Sequence, residues 1–206
     1  MKRHELLQAI TPLLDEQLLV VTSVGGVRVE LYAAQPSEGY FVSYAMGLAA
    51  PVGLGLALAL PLRQVLVLDG DGALIMNSVS LTTIAAMRPP NLTYVVFDNG
   101  IYESSGAGPT HTARGIDARA LAEGSGIERS HRATSAEQFR MQVTQGLRQS
   151  GPTFIHAPVE PGGWPGIQPL PYDAKENKYR FARFVERLEG VDVLGLPLPA
   201  HLDRPG

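Results

Sequence analysis

The sequence predicts an α/β protein built on one doubly wound parallel sheet with helices on both faces. Three observations carry this. Apolar, strand-like runs alternate with helix-like stretches along most of the 206 residues, the trace left by a parallel sheet with crossover helices. Two of those runs, Val65–Leu68 and Leu92–Phe97, stop at Asp69-Gly70-Asp71-Gly72 and Asp98-Asn99-Gly100, about 28 positions apart with a crossover between them. A hydrophobic content of 45% against 18% charged residues fits a well-buried globular chain.

Taken in order, residues 2–17 place Leu6, Leu7, Ile10, Leu13 and Leu14 at helical spacing. Leu18–Thr22 reads as a strand, Gly25-Gly26 as a turn, Val27–Ala34 as a short helix and Tyr40–Ser43 as a short strand. Met46–Leu60 is a helix of small residues, whose glycines and alanines lower helix propensity but allow close packing on a sheet. No charge occurs from Phe41 to Leu62, a length that could span a membrane. Pro51, Pro61 and the α/β pattern around it favour a buried helix instead.

Gln64–Asp69 is the next strand and Ala73–Met87 the next helix, stopped by Pro89-Pro90. After the strand Leu92–Phe97, residues 100–116 lack periodicity, and a loop of that length is usually functional or mobile. Asp117 caps a helix to about Glu123, and Ile127–Arg132 reads as a strand. Thr134-Ser-Ala-Glu137 matches a capping box for a helix to about Arg148. Thr153–Val159 is a strand, 160–173 a Pro/Gly-rich loop and Lys175–Leu188 the last helix. Residues 1–188 thus read as one domain, and 189–206 as a Pro/Leu-rich tail that wraps a surface or stays loose.

A net charge of -3 gives no reason to expect nucleic acid or an anionic membrane as partner. The absence of cysteine excludes disulfides, zinc–thiolate sites, iron–sulfur clusters and thiol nucleophiles. It also fits a reducing compartment, and with an N-terminus unlike a signal peptide the expected location is cytoplasmic. Ser104 and Ser105 lack a GxSxG context, and Gly53-Leu-Gly55 is no dinucleotide fingerprint.

Chemistry concentrates at the two strand ends. In a parallel sheet they lie side by side at the C-terminal edge, where open α/β sheets bind ligands. Asp69, Asp71, Asp98 and Asn99 are oxygen donors suited to a hard cation. A glycine turn opening a helix is a phosphate cradle. Taken alone, a GDG is also an ordinary turn. The pair, with 25 residues between Gly72 and Asp98, is a spaced motif.

With GDGALIMN, NLTYVVFDNGIYESSG, GPT and GPTFIH, and Met46-Gly47-Leu-Ala ahead of them, the chain resembles the thiamine diphosphate enzymes. More narrowly, it looks like the diphosphate-binding (β) subunit of sulfopyruvate decarboxylase and the matching half of phosphonopyruvate decarboxylase. The resemblance implies thiamine diphosphate and Mg2+ as cofactors, and decarboxylation of a 2-oxo acid to an aldehyde and CO2. By position it implies Asp71, Asn99 and the carbonyl of Ile101 as Mg2+ ligands, and a Gly70–Ala73 turn whose Gly72 and Ala73 N–H groups face the diphosphate. Met46 would hold the cofactor bent, and the Tyr44 carbonyl would accept from its 4′-amino group.

The chain departs from the family at Tyr44, Ala73, Glu103 and Ser105, the last two on the loop nearest the substrate. The family also needs a glutamate on a separate pyrimidine-binding domain, for which this chain has no room. The resemblance therefore implies a partner (α) subunit that supplies it. An acyloin-forming carboligase and a noncatalytic scaffold subunit are the alternative readings. His111 is a candidate proton donor, and Arg114 and Arg119 are candidates for an anionic substrate tail. His156 reads as a satisfied core histidine, while His4, His131 and His201 carry no pattern.

Overall fold

Each run read as a strand forms one. The computed structural model describes residues 1–195. The strands are β1 (Leu19–Ser23), β2 (Tyr40–Ser43), β3 (Val65–Gly70), β4 (Leu92–Asp98), β7 (Arg129–Arg132) and β8 (Thr153–Pro158), with a two-stranded hairpin, β5 (Ile101–Tyr102) and β6 (Gly108–Pro109), set apart. The six form one sheet in the order β2-β1-β3-β4-β8-β7, parallel throughout. Central strands covered on both faces lose the in/out alternation and become continuous apolar runs, which is why β3 and β4 were legible.

The helices are α1 (Arg3–Ile10), α2 (Gly26–Ala34), α3 (Ala49–Ala59), α4 (Asp71–Met76), α5 (Val79–Met87), α6 (Ala118–Gly124), α7 (Ala136–Arg148) and α8 (Ala174–Glu189). They cover both faces, as expected of a doubly wound sheet. Val65, Val67, Tyr94 and Val96 point to a core shared with α3, α5, α6 and α8. Leu66, Leu68, Val95 and Phe97 point to the opposite core, with α1, α2 and α7. The edge strand β2 is tied to α8 by Asn177, whose Nδ2 donates to the Tyr40 carbonyl at 3.0 Å and whose Oδ1 accepts from Val42 N–H at 2.9 Å.

The small-residue helix α3 lies directly on β3: a Cβ at Gly53 would sit 2.1 Å from Val67 Cγ2. Among the described residues no helix is long and apolar enough to cross a membrane.

The structure departs from the sequence expectation at several points. The first helix stops at Ile10 because Pro12 cannot continue its ladder, and Thr11–Leu13 tightens into a 3-10 turn. Helix α3 begins at Ala49 rather than Met46, since Gly47 holds φ +84°, outside helical space. The single helix expected over Ala73–Met87 is two, α4 and α5. It breaks at Asn77, whose side chain leaves the helix to donate to the Gly47 carbonyl at 2.9 Å. The cap of α7 is Ser135, not Thr134: Ser135 Oγ accepts from Gln138 N–H at 3.1 Å, and Gln138 Oε1 accepts from Thr134 N–H. Residues 100–116, expected to lack regular structure, contain the β5–β6 hairpin and two 3-10 turns. The tail expectation for 189–206 lies mostly outside the described residues; its first part folds back as Val193 and Leu194 N–H donate to Glu186 Oε1.

Candidate functional site

The chain leaves β1 toward β2 on one side and later returns past β1 to β3 on the other. The crevice between the C-terminal ends of β1 and β3 is therefore the switch point of the sheet, where such folds take ligands. A cleft of about 270 Å3 opens there. Its walls are residues 23–27 at the end of β1, 69–73 at the end of β3, and Phe97 with the segment from Asn99 to Ser105 at the end of β4, with Met46 and Arg3 at its sides. A larger groove of about 800 Å3 lies where the chain enters β1 and β2, beside α8, and holds none of these residues.

Glycine is required at two points of the cleft. A Cβ at Gly72 would meet the Tyr102 ring at 2.5 Å and Met46 Cε at 3.0 Å. Only glycine lets Tyr102 and Met46 close over the first turn of α4. Gly25 holds φ +116° at the start of α2, a conformation that L side chains rarely adopt. Two helices, α2 and α4, thus begin at the cleft with backbone N–H groups not used by their own ladders.

The carboxylates are arranged unequally. Asp69 is buried in the core, its Oδ1 accepting from Gly70 N–H at 2.9 Å and its Oδ2 from the Tyr94 hydroxyl at 3.0 Å. Asp71 lines the cleft while its Oδ2 accepts from the Thr110 hydroxyl and lies 3.0 Å from Thr112 Oγ1, whose single proton is shared with Asp98. Asp98 accepts from Thr112 Oγ1 at 2.8 Å and lies 2.8 Å from His156 Nε2. Asn99 Oδ1 accepts from Ile101 N–H at 3.1 Å in a tight turn. Burial pushes the Asp71 carboxyl above its usual value, and the Asp98 charge adds to the rise, against hydrogen bonds from Thr110, Thr112 and Gly72. For Asp98 burial acts in the same direction but is outweighed by hydrogen bonds from His156 and Thr112, so its carboxyl lies below the usual value.

The structure therefore brings Met46, Gly70, Asp71, Gly72, Ala73, Asn99 and Ile101 to one cleft. Tyr44 stands outside its lining, half-exposed, with the Arg28 guanidinium 5.1 Å over its ring. His111 is exposed at the start of a 3-10 turn, Arg114 is exposed, and Arg119 pairs with Glu123 at 3.0 Å. His156 is a buried histidine satisfied on one side only, since Nδ1 has no partner. Thr110 stood in the sequence only as the last residue of the GPT stretch, with no role, and Thr112 had no signal; they lie 39 and 41 residues from the carboxylate they contact.

Asp69 gives a testable consequence of this burial. Its carboxyl is pushed up to about 6 by burial, against hydrogen bonds from Gly70, Ser23 and Tyr94. Between about pH 4 and 6 the folded chain holds a proton that the unfolded chain has lost. The stabilisation from this group is present below about pH 4 and is lost as pH rises through the folded value. Asp69→Asn is expected to make the cofactor-free chain more stable at pH 7 by about 1–3 kcal/mol, the gap closing by about pH 4. Urea unfolding across that range measures it. A variant less stable at every pH would contradict the assignment.

A glycine at a close approach, two helix starts, and a carboxylate and an amide on one cleft at a sheet switch point are features suited to a phosphorylated ligand. The chain matches the family model for thiamine pyrophosphate enzymes, C-terminal TPP binding domain, over residues 23–157, and it belongs to that family. It is therefore a thiamine diphosphate-binding domain.

Its relatives are more particular. It is 35% identical over 189 residues to a phosphonopyruvate decarboxylase of Streptomyces viridochromogenes, covering 91% of this chain and 46% of that one. It is 37% identical over 186 residues to sulfopyruvate decarboxylase subunit beta of Methanothermobacter thermautotrophicus, covering 90% and 96%. The chain thus spans less than half of the first relative and nearly all of the second. The structure of benzoylformate decarboxylase from Polynucleobacter necessarius shares the fold, with a TM-score of 0.69 at 19% identity over 82% of this chain and 34% of that one.

Proposed function

We propose that this chain is the diphosphate- and Mg2+-binding subunit of a split thiamine diphosphate-dependent decarboxylase in the cytoplasm. Its substrate is a 2-oxo acid with a second anionic group, of the sulfopyruvate or phosphonopyruvate kind, and its products are an aldehyde and CO2. The observation that carries this is the match along 96% of a β subunit named for sulfopyruvate decarboxylase. The half-length match to the phosphonopyruvate enzyme agrees with a function divided between two chains.

The residues present suit the cofactor. Gly72, crowded by Tyr102 and Met46, leaves a cradle that any side chain would fill. Its N–H and that of Ala73 face the diphosphate. Asp71, Asn99 and the Ile101 carbonyl hold Mg2+. Among the described residues no group of three or more acidic or histidine side chains could hold a metal. A cation here draws on one carboxylate, an amide, a carbonyl and phosphate oxygens, which is the mixed set that Mg2+ accepts. Met46, at the side of the cleft, would pack against the bound cofactor, and the carbonyl of Tyr44, just outside the lining, would accept from its 4′-amino group. When bound, the cofactor supplies the electron sink for loss of CO2. The partner α subunit brings the pyrimidine pocket and its glutamate. His111 and Arg114 sit on the segment that follows β4, and Arg119 in the first turn of α6, where a proton donor or an anion contact would act.

The test is reconstitution. The chain with thiamine diphosphate and Mg2+ alone is expected to release CO2 from sulfopyruvate or phosphonopyruvate at background rate, and adding the α partner is expected to bring turnover with stoichiometric aldehyde. Acyloin in place of aldehyde would favour the carboligase reading. Cofactor binding without any turnover would favour a scaffold subunit.

A further inference from the structure

The loop after β4 turns two hydroxyls back under the cleft. Thr110 is fully buried, and its backbone N–H donates to the Gly100 carbonyl at 2.9 Å. Its hydroxyl donates to Asp71 Oδ2. The Thr112 hydroxyl lies 3.0 Å from the same oxygen, 2.8 Å from Asp98 Oδ1 and 2.9 Å from Thr110 Oγ1. Asp98 is in turn held by His156 from β8 at 2.8 Å. A continuous chain of contacts therefore runs from β8 through β4 to the start of α4.

Two features of this chain point to a purpose. First, among the described residues no lysine or arginine pairs with Asp71. Its partners are neutral hydroxyls, so its charge stays available to a cation in the cleft. Second, both hydroxyls lie against one oxygen, Oδ2: Thr110 donates to it, and Thr112, with a single proton between Asp71 and Asp98, bridges the two carboxylates, which fixes the rotation of Asp71.

We propose that Thr110 and Thr112 are positioning residues for Asp71, turning its other oxygen toward the cation in the cleft, with Asp98 and His156 holding Thr112 in place. This rests on the reading of Asp71 as a Mg2+ ligand. Outer partners of this kind set metal affinity by orienting the ligand, and losing one typically costs about 10–100-fold.

Mn2+ serves as the probe. Free Mn2+ is followed by electron paramagnetic resonance as it is titrated into the full chain with saturating thiamine diphosphate. Thr112→Val is expected to weaken Mn2+ binding about 10–100-fold. Thr112→Ser, which keeps the hydroxyl, is expected to stay close to wild type. Cofactor-free melting temperatures report whether each variant folds. Asp71→Ala separates the two levels of the argument. If Asp71→Ala loses Mn2+ while Thr112→Val and Thr110→Val bind as wild type, the positioning role is overturned and the cation reading stands. If Thr112→Ser is as weak as Thr112→Val, the hydroxyl is not the cause and the inference fails. If Asp71→Ala binds Mn2+ as wild type, the cation reading fails and takes this inference with it.

Discussion

Asp71→Ala is expected to abolish metal-dependent cofactor binding and, with the partner present, turnover. The loss should exceed the roughly 10–100-fold that removing an outer partner costs, because Asp71 is the only carboxylate among the proposed ligands. Asp69, two residues earlier, cannot replace it: both of its oxygens accept hydrogen bonds within the core. Asp98 is engaged by Thr112 and His156. Asp71→Asn keeps the shape and the acceptor for Thr110 but not the charge, and should fall between alanine and wild type. Because burial pushes the Asp71 carboxyl up, its ionised form is a cost to the cofactor-free fold. The alanine variant should therefore melt within a few degrees of wild type while losing function. Calorimetric titration of thiamine diphosphate with and without Mg2+ measures this. Unchanged metal dependence in Asp71→Ala would move the cation elsewhere.

What could be read from the sequence divides along a physical line. Strands β3 and β4 were legible because burial on both faces leaves uninterrupted apolar runs, and their ends because the turns carry Asp, Asn and Gly. Helix α3 was legible from its small residues, and Gly53 against Val67 shows why they are small. Features set by one distant contact were not legible. The break between α4 and α5 depends on Asn77 reaching the Gly47 carbonyl, 30 residues away. The cap of α7 was misplaced by one residue because Thr134 and Ser135 are adjacent and each has a Glu or Gln three residues on, so only geometry separates them. The same limit hid half of the site. Asp71 and Asn99 sit next to glycines at strand ends, which is a local signal. Thr110 and Thr112 reach Asp71 only because the loop folds back through the β5–β6 hairpin, and Arg3 reaches the cleft from the first helix.

That arginine carries the largest expected effect on stability. Arg3 and Glu30 are 7% and 0% exposed and form a two-pronged pair, Nε to Oε2 at 2.8 Å and NH2 to Oε1 at 2.9 Å. Gly26 makes room for it, since a Cβ there would lie 2.2 Å from Arg3 NH2. Glu30 Oε1 also accepts from Trp164 N–H at 3.0 Å, and Arg3 NH1 reaches Glu103 at 3.4 Å. Arg3→Met would leave the Glu30 carboxylate buried without a counter-charge, which costs about 3–5 kcal/mol. For a chain of this size that corresponds to a fall in melting temperature of roughly 10 °C.

The double variant Arg3→Met/Glu30→Gln removes both charges but keeps an acceptor for Trp164, and should regain most of the loss, because a neutral replacement of a buried pair is close to neutral in stability. If single and double variants melt alike, the cause is packing of the arginine stem rather than the orphaned charge. The pair joins α1, α2 and the loop before α8, and through Glu103 it holds the segment that closes over the cleft. The two single-partner losses should therefore separate. Arg3→Met is expected to lower both stability and cofactor affinity, whereas Glu103→Gln, on a half-exposed side chain, should leave stability within about 1 kcal/mol and act on the cleft alone.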